Sequence, residues 1–144
     1  DRFREARPLL QRSLEAQERT LGPDHPETLV SMMNTAGLLS ALDQPEEAEQ
    51  LYRRALDGRK RVMGTGHPDT QLSRYSLARL LIDEGRPDEA EPLLHEAIQQ
   101  SLTETGLGPE HPYTRAFVEA YAQCLDQLGR GHEADEIREG FRIE

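Results

Sequence analysis

Apolar residues recur along the chain at intervals of three or four positions, and proline and glycine interrupt them regularly. This spacing gives a helix one apolar face, whereas a half-buried strand would alternate apolar and polar positions. Pro26 and Pro45 each open such a run, because proline fixes φ for a first helical turn and lacks the N–H left unpaired there. The two apolar stripes are Val30, Met33, Ala36, Leu39 and Leu42, then Ala48, Leu51, Tyr52, Ala55 and Leu56. The pattern therefore predicts two helices joined by a short turn.

The same reasoning extends over the whole chain and predicts an all-α protein. No stretch is typical of a strand, a linker or a low-complexity segment. The seven predicted helices cover residues 3–20, 26–42, 45–62, 68–84, 87–105, 112–128 and 132–143.

A seven-residue phrase occurs three times in the sequence. Gly-Pro-Asp-His-Pro-Glu-Thr at residues 22–28 returns in related form at 64–70 and 108–114, at spacings of 42 and 44 residues. A fixed period of this length indicates a repeat array, in which each unit buries its apolar face only against its neighbours. The chain's hydrophobic content of 35% is low for a single globular core, but it is sufficient for such an array.

Small residues mark equivalent positions of the repeated helices. One set lies on the first helix of each pair and the other on the second. A small residue on both helices lets the two backbones approach closely. The sets are Ala36, Ala78 and Ala122, and Ala6, Ala48, Ala90 and Ala134. Gly85 and Gly129 follow the first helices where Asp43 stands in the other copy, so we expect positive φ there. The repeated element is predicted to be a helical hairpin.

These positions resemble the tetratricopeptide repeat. The run Leu77-Ala78, Leu81, Ala90, Leu94 and Ala97 follows that family's consensus of small and large apolar residues. The longer period and the Gly-x-x-His-Pro-x-Thr loop resemble, more specifically, the kinesin-light-chain type of repeat. The resemblance implies an α-solenoid, a right-handed superhelix of antiparallel helix pairs, with about three and a half units.

We expect residues 1–144 to be a single array segment. Its units would be a partial one at about 1–25, then 26–67, 68–111 and 112–144. Because the chain opens inside a second helix and no polar capping helix is recognisable, we predict a fragment of a longer array.

Charge narrows the class of partner. Asp and Glu total 27 against 17 Lys and Arg, a net charge of −10, which disfavours nucleic acid and anionic lipid. No apolar run is long enough to span a bilayer, and no signal peptide opens the chain. The single cysteine, Cys124, suits a reducing compartment. We expect a cytoplasmic protein that binds neither nucleic acid nor membrane.

The residues that could carry chemistry have structural explanations. His25, His67 and His111 lie in different repeat units, and packed helices are about 8–10 Å apart. Because a metal–nitrogen bond is only about 2.0–2.1 Å long, the three histidines cannot share a metal ion. Each precedes a proline and is predicted to be a helix N-cap. The glycine-rich loops match no phosphate-binding motif. Cys124 aligns with Leu38 and Leu80 and is therefore predicted to be a small buried hydrophobic residue. We predict no enzymatic activity, no cofactor and no metal.

The family resemblance implies a concave groove lined by the first helix of each unit. The matching positions include Met33, Asn34, Tyr75, Arg79 and Gln123, and we expect these residues to contact a partner. Asn34 matches a family asparagine that bonds a bound peptide's backbone, and Arg79 could pair with a peptide carboxylate. The remaining implied positions are Val30, Gly37, Leu72, Ser76, Asp83, Ala116, Glu119 and Ala120. They lack the cations of a C-terminal carboxylate clamp.

The leading hypothesis is a non-enzymatic scaffold that binds a short peptide of a protein partner in this groove. The alternative is a structural role, as a self-associating element or an autoinhibitory sensor arm of a larger signalling protein. Self-association would use unpaired faces of the end helices. Met33 and Tyr75 could also simply pack between units, and Arg79 could be a solvated helix residue.

Overall fold

The computed structural model describes residues 2–103 and 106–141, with side chains from Arg7 onward. These residues form seven α-helices and no strand, which confirms the predicted fold class. The helices are α1 (Arg2–Leu21), α2 (Pro26–Ala41), α3 (Pro45–Met63), α4 (Pro68–Asp83), α5 (Pro87–Ser101), α6 (Pro112–Gln127) and α7 (Gly131–Gly140). The chain divides into two compact units, each larger than one repeat. The first unit, Asp1–Gly64, contains α1 to α3, and the second unit, Thr65–Glu144, contains α4 to α7.

Helix pairs are the building element of both units. In the first unit α2 packs against α3 and α1 packs on α2; in the second, α4 pairs with α5 and α6 with α7, while α5 and α6 are also in contact. The alanines predicted to allow this close packing have no exposed surface; they are Ala36, Ala48, Ala78, Ala90, Ala122 and Ala134. Their equivalence is therefore confirmed, except that the side chain of Ala6 lies outside the described part.

Helix starts follow the predicted local chemistry. α2, α4 and α6 each begin with proline, and the preceding histidine is the N-cap in extended conformation. In each cap the histidine Nδ1 accepts a hydrogen bond from the backbone N–H two residues on, at 3.3 Å for His25, 3.2 Å for His67 and 3.1 Å for His111. The imidazole thus satisfies one of the N–H groups that a helix start leaves unpaired.

The turns after α2, α4 and α6 share one geometry. Asp43, Gly85 and Gly129 have φ of 59°, 70° and 76°, as expected. The next residue's N–H then bonds back to a carbonyl in the last helical turn, as from Gln44 to Leu39 at 3.0 Å. This is the Schellman pattern, which closes a helix through a left-handed residue. Asp43 adopts this conformation at a higher steric cost than glycine.

Two helix ends differ from the prediction by more than one residue. α5 ends at Ser101 rather than at 105, because the chain folds back and the Gly108 N–H donates to the Ser101 carbonyl at 2.8 Å. Gly106 lies so close that an added Cβ would stand 2.5 Å from the carbonyl oxygens of Gln100 and Ser101. α7 ends at Gly140 rather than at 143, because glycine has low helix propensity. The last three residues lie outside the described part, as do Glu104 and Thr105.

Each unit has its own buried centre. The first has a cluster of Leu14, Leu29, Met32 and Ala55. The second buries leucines and Phe117 together with a cation, Arg74, whose side chain is fully enclosed. Its guanidinium donates to the Thr65 carbonyl at 3.0 Å, to Gln71 at 2.7 Å and to the Glu96 carboxylate on α5. A buried charge needs such partners, and desolvation lowers the pKa of Arg74 from its usual value.

Candidate partner-binding surface

Three of the five predicted contact residues come together in the second unit. Tyr75 and Arg79 are one turn apart on α4 and share a helix face. Arg79 Nη1 donates to Gln123 Oε1 on α6 at 2.7 Å, across 44 residues of sequence. Tyr75, Arg79 and Gln123 thus form one surface, which we name the α4–α6 face.

Arg79 remains able to bind a further acceptor. Its side chain is 38% exposed, and its Nη2 lies 3.8 Å from Asp83 Oδ1. A guanidinium carries five N–H donors, so the hydrogen bond to Gln123 occupies only part of its capacity. Gln123 uses its amide oxygen for Arg79, which leaves its amide N–H donors for another acceptor. The pair can therefore donate toward a carbonyl or a carboxylate.

Aromatic rings of α6 pack against Tyr75 of this surface. Tyr75 is half-buried, and its ring lies 5.2 Å from that of Phe117, which has no exposed surface. Phe117 stacks on Tyr113 at 6.5 Å, and Tyr113 is 48% exposed. Phe117 and Tyr113 were not among the predicted contact residues, although their spacing of four on a predicted helix places them on one face. Ring packing holds Tyr75 in a fixed position beside Arg79.

The two other predicted residues belong to the first unit. Asn34 is exposed on α2. Met33 is half-buried and packs against that unit's apolar cluster, so much of its side chain is used inside its own unit. Ala120 corrects the set implied by the resemblance, because it is only 3% exposed and offers a partner almost no surface. Glu119 is already engaged by Arg138 of α7, at 3.2 Å.

The described residues contain little that could carry catalysis. No group of three His, Cys, Asp or Glu in the described ranges could hold a metal ion. Cys124 is buried, its Sγ donates to the Pro87 carbonyl at 3.0 Å, and burial raises the pKa of its thiol to about 11. Because the thiolate is the nucleophile, this cysteine is poorly suited to covalent chemistry. None of the helices within these ranges has the length and apolarity that crossing a membrane requires.

Comparison with known proteins identifies the repeat. Two family models described as tetratricopeptide repeat match the chain, one over residues 1–61 and the other over residues 36–112. The chain belongs to the tetratricopeptide repeat (TPR) family. Proteins of this family generally mediate protein–protein interactions and are generally non-enzymatic scaffolds. No curated protein matches the TPR chain.

Solved structures place the TPR chain near the kinesin-light-chain type. A variant of a candidate kinesin light chain from Podospora anserina, with nearly identical TPR-like repeats, has 29% identity over 96% of this chain and a TM-score of 0.87. BtubC (BKLC) from P. vanneervenii has 18% identity over 97% of this chain and a TM-score of 0.86, which shows the shared fold. The chain spans 65% of the Podospora protein's length and 55% of BtubC's.

A plant structure shows the same fold over a shorter stretch. The TPR domain of Arabidopsis FLU has 19% identity and a TM-score of 0.68; the match covers 78% of this chain and 90% of that domain. The predicted resemblance to kinesin-light-chain-like repeats is therefore confirmed, and the fold is that of a TPR protein.

Proposed function

We propose that this TPR chain binds an extended peptide segment of a protein partner on the α4–α6 face. The observation that carries the proposal is the hydrogen bond between Arg79 and Gln123, beside a Tyr75 ring fixed on Phe117. Preorganised side chains cost less conformational entropy on binding than mobile ones.

The chemistry of this face suits a peptide backbone. An extended peptide has N–H and C=O groups that need partners. The Gln123 amide can donate to a backbone carbonyl, and Arg79 can donate to a carbonyl or to an acidic side chain. Tyr75 supplies apolar ring surface with a polar end, which suits an apolar side chain of the peptide.

Asn34 and the exposed part of Met33 are proposed as contacts of the first unit. Single contacts of this kind give low affinity, which several linked sites in one array would raise through effective concentration. That the units act as parts of one array, within a longer protein, belongs to the same proposal. So does a cytoplasmic location, which fractionation of the producing cells would test.

The test is a peptide-display screen against the full chain, followed by affinity measurement with the variants Arg79→Ala and Gln123→Ala. Loss of one partly exposed charge-assisted hydrogen bond should lower the affinity for an enriched peptide by about fivefold to tenfold. Arg115→Ala is the matched control, since Arg115 is an exposed arginine of α6 paired with Glu110. Circular dichroism should show unchanged helicity in all three variants.

Equal affinity of Arg79→Ala, Gln123→Ala and the unaltered chain would refute the peptide site on this face. Asn34→Ala tests the first unit separately. If a folded sample enriches no peptide and its mass by light scattering rises with concentration, self-association would replace peptide binding as the function.

A further inference from the structure

A cavity of about 290 Å³ opens in the first unit among α1, α2 and α3. Its apolar walls include Leu14 and Leu39, which are 6% and 2% exposed, and the half-buried Leu51. Pockets for small molecules are about 300–1,000 Å³ in volume, so this one lies at the lower limit. It has room for one side chain of a partner rather than for a cofactor.

Thr35 explains why the space is open. The repeat spacing places Leu77 and Tyr121 at the equivalent positions of the next two copies, and both are buried large side chains. Thr35 lines the cavity and is only 3% exposed, yet no hydrogen bond engages its hydroxyl within the described residues. By contrast, the buried helical Ser101 donates to the carbonyl four residues back. The Thr35 hydroxyl therefore faces the space of the cavity, where a ligand could hydrogen-bond to it.

Carboxylates outnumber cations around the cavity. Among the residues whose side chains the structure describes, Glu15, Glu18 and Glu47 line it together with one cation, Arg54. Arg54 pairs with Glu18 at 2.6 Å, and Glu47 pairs with Arg7. Glu15 is exposed and forms no ion pair within the described ranges. The mouth of the cavity is therefore negative and retains an acceptor for a positive group.

We propose that this cavity takes up a basic side chain, arginine or lysine, from a protein partner. Such a side chain joins an aliphatic stem to a charged head, which matches the leucine walls and the carboxylate at the mouth. The head carries only N–H donors, and the Thr35 hydroxyl and the Glu15 carboxylate both offer acceptors. The site lies in the first unit and does not depend on the α4–α6 face.

The experiment uses amide NMR of the full chain titrated with the blocked tripeptide acetyl-Gly-Arg-Gly-amide, and with its lysine counterpart. The matched ligand contains citrulline, which has the shape of arginine without the charge. We expect saturable shifts at the amides of Thr35, Leu39 and Leu51, about tenfold weaker binding of the citrulline peptide, and weaker binding at high salt. Equal binding of citrulline, or no saturable shift with either basic peptide, would overturn the proposal.

Two variants test the assigned residues. Thr35→Leu fills the cavity as Leu77 does in its own unit, so binding should be lost without a fall in the urea midpoint. Glu15→Gln leaves the interior intact and should weaken binding by about twofold to fivefold, whereas the exposed Glu27→Gln should not. Unchanged binding by Glu15→Gln and Thr35→Leu would contradict the assignment.

Shifts of these amides with protein concentration alone, and with neither basic peptide, would identify a second copy of the chain as the occupant and reject the proposal. Arg79→Ala should bind the tripeptide normally. Failure of this site and failure of the α4–α6 face are therefore distinguishable.

Discussion

Two helical glycines of the first unit should respond in opposite ways to the same substitution. Gly37 lies in α2 and Gly58 in α3, and alanine is favoured over glycine by about 0.8–1 kcal/mol inside a helix. An added Cβ at Gly37 would lie 3.4 Å from Tyr52 Oη, an ordinary contact. An added Cβ at Gly58 would lie 2.4 Å from Leu29 Cδ2. Carbon atoms prefer a separation of about 3.5–4.0 Å, so the second contact is an overlap of more than an ångström.

The magnitude at Gly58 depends on whether Leu29 can move. Leu29 has no exposed surface and belongs to the apolar cluster with Leu14, Met32 and Ala55. Overpacking at such a site costs about 1–3 kcal/mol, which exceeds the gain in helix propensity. We therefore expect Gly58→Ala to lower the free energy of unfolding by about 0.5–2 kcal/mol. Gly37→Ala should raise it by up to about 1 kcal/mol.

Urea unfolding followed by circular dichroism at 222 nm measures both values, provided that the slope with urea concentration is unchanged. The double variant Gly58→Ala/Leu29→Val removes the overlapping methyl group, so in that background the Gly58→Ala penalty should shrink toward the Gly37→Ala value. The reasoning fails if Gly58→Ala alone stabilises the chain as much as Gly37→Ala does.

Further predictions concern three single residues. Asp43→Gly should stabilise the chain by about 0.5–1 kcal/mol, because Asp43 has φ of 59°; a lower urea midpoint would contradict this. His67→Ala should destabilise it by about 1 kcal/mol through loss of the acceptor for the Asp69 N–H, and His67→Asp should restore most of that loss in the same assay. Since the pKa of Cys124 rises from 9.0 to about 11, iodoacetamide at pH 8 should label the native thiol at least about 100-fold more slowly than the urea-unfolded one. The same raised pKa predicts that stability falls as the pH rises above 9, where the unfolded thiol ionises first.

The candidate surface was predictable only in part. The repeat register placed Tyr75, Arg79 and Gln123 at positions where the family resemblance implies contact, and the structure brings these three together. The register could not show that Ala120 is buried or that Met33 packs on its own unit's core. Those outcomes depend on side chains of other helices, which a single repeat does not specify.

The sequence by itself determined where the helices of this protein begin and how most of them end. Proline at a first turn, histidine before it and glycine after the last turn act through their own φ angles and hydrogen bonds, so their effect is local. The early end of α5 is the exception, since it arises where the chain returns to the Ser101 carbonyl.

Only the tertiary structure decided which charges are buried and which remain at the surface. Arg74 and Arg79 lie on the same helix, yet the side chain of one is fully enclosed and that of the other is 38% exposed. Both residues are arginines, so their charge and their helix propensity are the same. Arg74 is stabilised in the interior by Glu96 of α5, and Arg79 is held at the surface by Gln123 of α6. The environment of each cation is set by residues distant in sequence, because a buried charge is tolerated only where the fold brings an opposite charge to it.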